Sequence, residues 1–314
     1  MSALQHLLPA SPSDLSRRDE LLSRVAELPE LAQDERAPDP AEVVANLAAS
    51  GLLAECISAN YGGVSEPLSI RALCLIRAAL AYRSPLYDLM FAMQGLGSHA
   101  VTLGGSDAQR AGFLPAVMAG GSICAIALTE PDAGSDLSAI RTAARRRGDE
   151  YEIDGEKIFI SNAGIATDYV LYARTGPHPK RDLTAFLLPA TADGLEIEPM
   201  QLLCDDHPIG QLKLRGVRLL ESARIGDEGQ GMTLALATLE RFRPSVGAAA
   251  VGMARRALDE AVAYTQARKQ FGQPLSSFQA TQLALAEMAT ECTTAALAVQ
   301  HAAYLLDSGH LESS

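Results

Sequence analysis

The sequence predicts an α+β chain of three parts: an all-α N-terminal domain, a middle domain of β-barrel-like or β-sandwich type, and a C-terminal helical bundle. Two changes of hydrophobic period carry this. Apolar residues recur at helical spacing up to about residue 120, shorten to strand spacing, and return to helical spacing after about residue 228. The boundaries fall at 1–120, 121–228 and 229–314. A chain of 314 residues, 48% hydrophobic and 20% charged, can bury a large core in two or three domains.

From about Ser13 to Ala119 the pattern is helical. "PAEVVANLAASGLL" begins after a proline and ends near Gly51, and "LSIRALCLIRAALAYR" and "DAQRAGFLPAVMAG" carry apolar residues three and four apart. "DERAPDP" reads as a linker within this domain. The middle domain comprises "ICAIALT", "YEI", "EKIFIS", "YVLYART", "TAFLLPA", "LEIEPM" and "QLKLRGVRL", separated by turn residues. Asp154-Gly155 sits between two of these runs as a two-residue hairpin would. "GDEGQG" then reads as a flexible entrance to the bundle. It is not a dinucleotide fingerprint, because it follows a β domain and opens a bundle instead of following the first strand of a βαβ unit. The first bundle helix presents Val251, Ala254, Leu258, Ala261 and Thr265. The second presents Leu285, Met288, Cys292, Ala295, Val299, Ala302 and Leu306, with many small residues for close helix approach.

Charge narrows the partners. Lys and Arg number 26 against 38 Asp and Glu, a formal net charge of -12, which leaves no excess of positive charge to track nucleic acid or an anionic membrane. Five isolated cysteines, Cys56, Cys74, Cys124, Cys204 and Cys292, show neither a disulfide framework nor metal-ligand spacing. The N-terminal residues lack a basic segment followed by a long apolar one, and no run is long enough to span a bilayer. A cytoplasmic protein with no metal is expected. The lone histidines, His99 among them, read as surface or packed residues.

"ALTEPDAGSDLSA" resembles the signature of the acyl-CoA dehydrogenase family. The resemblance extends, in the family's order and spacing, to "DGEKIFISNAGIATDYVLYART", "GDEGQGM", "ERFRPSVGAAAVGMARRALDEA" and "ARKQFGQPLSSFQATQ", and less sharply to "YGG" at Tyr61 to Gly63. It implies FAD as cofactor and removal of two hydrogens from neighbouring carbons of an acyl-CoA or acyl-carrier-protein thioester. An electron acceptor such as an electron-transfer flavoprotein and a homodimer or homotetramer are implied with it.

The resemblance assigns Thr129 and Ser135 to the flavin ring and to the pyrophosphate or pantetheine. From the residues alone, the same turn could be an ordinary strand-to-loop connection, and Glu130 and Asp136 are expected to anchor it. Phe159 and Ser161 lie on the same face of a strand, because side-chain direction repeats every two residues. In the family the first packs on the flavin and the second offers a hydroxyl to N5. The alternative is a half-buried Phe beside a surface Ser. Arg268 resembles an arginine donated to a neighbouring subunit's FAD pyrophosphate, with Phe271 and Gln279 around the rest of the dinucleotide. It also reads as a cation at a helix end, capped by Gly272 and stopped by Pro274. Ser135 and Arg243 carry over as substrate-binding residues.

Family members continue past "LLDSGHLESS" with helices that complete the bundle and, in most of them, supply the catalytic glutamate, so the bundle is expected to be incomplete. A minority place the base where Phe242 stands. Glu240, the remaining candidate, lies about 200° around the helix from Phe242 and is expected to pair with Arg243. The chain as given is therefore expected to lack an efficient base. A flavin oxidase or monooxygenase of the same fold, or a non-catalytic flavin- or thioester-binding protein, is the alternative function.

Overall fold

The computed structural model describes residues 12–31, 39–178, 181–202 and 207–309, with side chains from Leu15 onward. The helices of the first segment start where capping chemistry places them. α1 (Pro12–Ala26) leads into α2 (Pro40–Ala49), where Asp39 accepts the Ala41 N–H at 2.9 Å and Pro40 takes the first position. Ser69 caps α3 (Ile70–Arg83), and Ser106 and Gln109 form a capping box on α5 (Asp107–Met118). Between them runs α4 (Pro85–Gly104), whose glycines obscure its helical pattern in the sequence. One of these glycines is required: a Cβ at Gly97 would lie 2.4 Å from the Cys124 Cβ.

The β domain is one mixed sheet of eight strands. β1 (Cys124–Ala127) pairs parallel with β4 (Asp168–Arg174), which lies between β2 (Ala143–Arg147) and β5 (Leu183–Pro189). β3 (Glu150–Ser161) joins β2 to β7 (Ile209–Leu220), and β6 (Leu195–Pro199) and β8 (Arg224–Ile225) form the edges. Both faces are buried. β4 sends Val170 and Tyr172 into one apolar cluster with Leu114, Leu128 and Leu234, and Tyr169, Leu171 and Ala173 into another with Tyr151, Phe186 and Leu188.

α6 (Gly231–Ala267) follows, about 55 Å long at 1.5 Å per residue. A two-strand hairpin, β9 (Lys269–Gln270) and β10 (Gln273–Pro274), and then α7 (Gln279–Asp307) complete the described chain. Two compact units result. One holds residues 12–27, Ser69–Asp88 and 242–309, and the other the described residues of Leu28–Leu68 and Leu89–Arg241. Within the first unit, small residues allow close contact. A Cβ at Gly252 would lie 2.2 Å from the Ala78 carbonyl oxygen, and one at Gly247 would lie 2.9 Å from Val299. Asp307, at the end of α7, accepts the Ile70 and Arg71 N–H groups at 2.7 and 3.1 Å and so caps α3. Arg77 grips Asp88 with two buried bonds at 2.8 and 2.7 Å and reaches Ser245 on α6 at 3.0 Å.

Several sequence expectations need correction. Asp154-Gly155 is no hairpin turn: it lies inside β3 at a bulge, while the β2–β3 turn is Gly148-Asp149. Gly155 is there because a Cβ would lie 2.4 Å from Thr142 Oγ1. "GDEGQG" is packed, not flexible. Gly229 N–H donates to Thr184 Oγ1 at 2.9 Å, and a Cβ at Gly231 would lie 2.7 Å from the Leu183 backbone. On α7 the buried residues are Cys292, Ala296 and Ala303, one position on from the expected Ala295 and Ala302, and Leu283 and Met288 are exposed. On α6 Val251 and Leu258 are buried while Ala254 is exposed. The stripes mislead because a helix rich in alanine has several faces of similar apolar character. Cys204 and the core of "DERAPDP" lie outside the described residues. His99 is buried, and burial, reinforced by the Arg241 charge, pushes it down to about 4, so it is a neutral packed residue.

Candidate functional site

The chain leaves β1 at Ala127 and turns through "TEPDAGSD". The Glu130 and Ala133 backbones bond each other at 2.9 and 3.1 Å, which closes a tight turn before Gly134 and Ser135. Both acids anchor the loop. Asp136 accepts the Ser138 N–H at 3.0 Å, and Glu130 accepts the Arg141 and Thr142 N–H groups at 2.6 and 3.0 Å. Ser135 is therefore left exposed on a braced loop, and Thr129 is half-buried at its start.

β3 meets this loop edge on. Ile158 N–H donates to the Thr129 carbonyl at 3.0 Å, so the two motifs that the sequence separates by some thirty residues become neighbours. Alternation breaks at this point. Lys157 pairs with Leu212 and Ile160 with Gly210, so Ile158 and Phe159 together face Gln211, and Phe159 takes a left-handed backbone with φ 57°. The shared face expected of Phe159 and Ser161 thus does not arise from simple strand period. The bulge re-aims Phe159, which is 60% exposed, while Ser161 is half-buried. A left-handed conformation in a non-glycine residue costs roughly 1–2 kcal/mol and gathers at functional sites. Asn162 follows with φ 65°, its Nδ2 donating to the Cys124 carbonyl at 2.9 Å.

Beneath the bulge lies a pair that sequence reasoning missed. Lys157 is fully buried, and its Nζ donates to Glu130 Oε1 at 2.8 Å and to the Leu128 carbonyl at 3.0 Å. Burial pushes the Lys157 ammonium down to about 8, with the Glu130 charge opposing the shift. Burial also works to raise Glu130. The Lys157 charge and the hydrogen bonds from Lys157, Thr142 and Arg141 outweigh it and hold the carboxyl below the usual carboxylate range. The available signal was phase: Lys157 falls among Tyr151, Ile153 and Ile160, all buried positions of β3.

Apart from Glu240, the other sequence candidates belong to the other compact unit. α6 ends at Ala267, so Arg268 stands one residue past it, its N–H donating to the Tyr264 carbonyl at 2.8 Å. Gly272 is not the helix cap. With Phe271 (φ 52°) it forms the tip of the β9–β10 hairpin, and Pro274 lies in β10 instead of stopping the helix. Phe271 is 93% exposed, its ring 6.4 Å from that of Phe278. Arg268 and Gln279 are exposed as well. Phe242 is buried, Glu240 half-buried and Arg243 exposed. Among the described residues neither Glu240 nor Arg243 makes an ion pair, contrary to expectation; a pair with an exposed partner gains little.

The β domain thus presents an exposed aromatic ring on left-handed backbone, one residue along β3 from the strand's bond to the braced turn. Comparison with known proteins makes this specific. Residues 18–121, 125–217 and 229–314 match the N-terminal, middle and C-terminal domains of acyl-CoA dehydrogenase. The chain is 37% identical over 279 residues to the probable acyl-CoA dehydrogenase FadE25 of Mycobacterium tuberculosis, covering 88% of this chain and 71% of that protein. It is 33% identical over 282 residues to the 3-(aryl)acrylate reductase of Clostridium sporogenes, covering 88% and 74%. The solved glutaryl-CoA dehydrogenase of Mycobacterium smegmatis in complex with FADH2 superposes with a TM-score of 0.83 at 25% identity, covering 96% of this chain and 77% of that one. The chain belongs to the acyl-CoA dehydrogenase family. It is accordingly a flavoprotein oxidoreductase acting on CH–CH groups, with FAD as its cofactor.

The β-domain residues fit that cofactor. A Cβ added at Gly134 or Gly164 would meet nothing within 4 Å, so open space lies over the braced turn and beyond Ser161. Phe159 offers a large aromatic surface that the fold does not cover. Phe159→Asn tests this assignment. Asparagine tolerates the left-handed backbone, so relief of strain offsets the lost partial burial and the unfolding free energy stays within about 1 kcal/mol of wild type. FAD affinity, read by titration, falls about tenfold through the lost ring contact. Unchanged affinity would remove Phe159 from the site.

Proposed function

We propose that this chain binds FAD and an acyl thioester carried by CoA or by an acyl carrier protein in the arrangement for α,β-dehydrogenation, with none of its candidate carboxylates placed to take the α proton efficiently. The observation that carries the reading is the braced turn of Thr129 to Ser135 joined to the exposed, left-handed Phe159. When bound, FAD supplies the hydride acceptor. Phe159 offers its ring to the flavin face, Thr129 and Ser161 offer hydroxyls to the ring edge, and Ser135 reaches the pyrophosphate or pantetheine. Arg243, exposed on α6, is free to meet the charged end of a carrier. The thioester carbonyl acidifies the α C–H, so this chemistry needs a carboxylate within about 3 Å of it. Glu130 and Asp136 are committed to their loop, and Glu240 points away from the Phe242 direction. An electron-transfer flavoprotein is the acceptor in this reading, and the buried cysteines Cys56, Cys74, Cys124 and Cys292, none of them in a disulfide, support a cytoplasmic location. Among the described residues no helix is long and apolar enough to cross a membrane.

Anaerobic mixing of the FAD-loaded chain with acyl-CoAs of graded length tests the substrate class. A thioester that fits perturbs the visible flavin absorption, and Glu240→Gln leaves that response unchanged. A flavin indifferent to every thioester offered contradicts the proposal, and bleaching abolished in Glu240→Gln identifies that residue as the base.

The same reading includes a homodimer or homotetramer that shares FAD between subunits. Its support is the exposed apolar side chains of Phe271, Leu283 and Met288, with Arg268 and Gln279 exposed in the same stretch of chain. Arg268→Ala is expected to weaken FAD binding about tenfold and to lower the fraction of oligomer seen by light scattering. A wild-type monomer that holds stoichiometric FAD would exclude a shared site.

A further inference from the structure

The dehydrogenation proposed above gives Lys157 and Glu130 no chemical task, yet among the described ion pairs theirs has the least exposed side chains, at 0% and 6%. Where their bonds end is informative. Three consecutive residues of the flavin loop are each tied to β3. Leu128 O accepts from Lys157 Nζ at 3.0 Å, Thr129 O from Ile158 N–H at 3.0 Å, and Glu130 Oε1 from Lys157 Nζ at 2.8 Å. The carboxylate of Glu130 also takes the Arg141 and Thr142 N–H groups, which closes the far end of the loop that carries Ser135. The next residue along β3 from this clamp is the left-handed Phe159. A backbone that is unfavourable on its own persists only where its neighbours over-determine it, and here the neighbours are these bonds.

We propose that Lys157 and Glu130 are positioning residues for the cofactor, holding the Thr129 strand end and the Phe159 turn in one fixed register so that FAD meets a preformed surface. This rests on the assignment of FAD to the β domain. Without the clamp the Phe159 turn is free to relax toward ordinary strand geometry, and binding must then order it again. The pair acts on affinity through Phe159, not through contact with the ligand.

A double-mutant cycle on the 314-residue chain tests this, with FAD binding read by quenching of flavin fluorescence and folding by far-ultraviolet circular dichroism. Lys157→Met is expected to weaken FAD about tenfold, but by less than about threefold when Phe159→Asn is already present, because the residue through which it acts has gone. Glu130→Gln, which keeps the volume and an acceptor for Lys157, is held to the same criterion if Lys157→Met does not fold. Equal weakening in both backgrounds, or wild-type affinity in the folded single variants, overturns the inference and leaves the FAD assignment standing. A wild-type chain that takes up no FAD overturns both.

Discussion

The architecture of the β domain turns on one buried ion pair. Removing a lysine and a glutamate from water is costly, and the attraction between them compensates only when geometry is good and the remaining polar atoms are satisfied. Here Lys157 also finds the Leu128 carbonyl, and Glu130 finds two backbone N–H groups. The pair bridges positions 27 apart and converts a strand-to-loop connection into a rigid wall beside β3. Removing one partner would leave the other charge uncompensated, typically at about 3–5 kcal/mol, so the two positions constrain each other more than either constrains its own segment.

Around this pair the sheet has little freedom. Both its faces are buried, so β4 reads as a nearly unbroken apolar run and cannot shift register without exposing one cluster or the other. Gly97 on α4 and Gly155 on β3 sit where Cys124 of β1 and Thr142, just before β2, come too close for any side chain. In such a frame the bulge at Phe159 is a local departure that its surroundings enforce. The only large hydrophobic side chain of β3 left mostly in water is also the one on strained backbone, and the proposed FAD contact rests on that coincidence.

Much of this was legible in the sequence. The switch of period near residue 122 located the β domain, and "TEPDAGSD" and "EKIFIS" marked a loop and a strand that the fold makes neighbours, with Glu130 and Asp136 in their anchoring role. What escaped depends on tertiary contact. Asp154-Gly155 has the chemistry of a hairpin turn, but Thr142 packs against Gly155 and the turn falls at Gly148-Asp149 instead. A lysine within a strand reads as a solvated residue until its partner 27 positions away is known. The buried face of α7 was misplaced by one residue because alanines lie on every side of it. Gly272 reads as a helix cap because a left-handed glycine serves a hairpin tip as well as a helix end.

The central claim is that one preformed surface, made of the Thr129–Ser135 turn and the Ile158–Ser161 bulge, receives the flavin. Amide hydrogen exchange with and without FAD measures it most directly. The account predicts that FAD slows exchange in peptides spanning 129–136 and 158–164, and that Ile158 N–H, already bonded to Thr129, is protected before FAD is added. Protection confined to the β6–β7 edge, or an Ile158 amide that exchanges freely until FAD arrives, would contradict it.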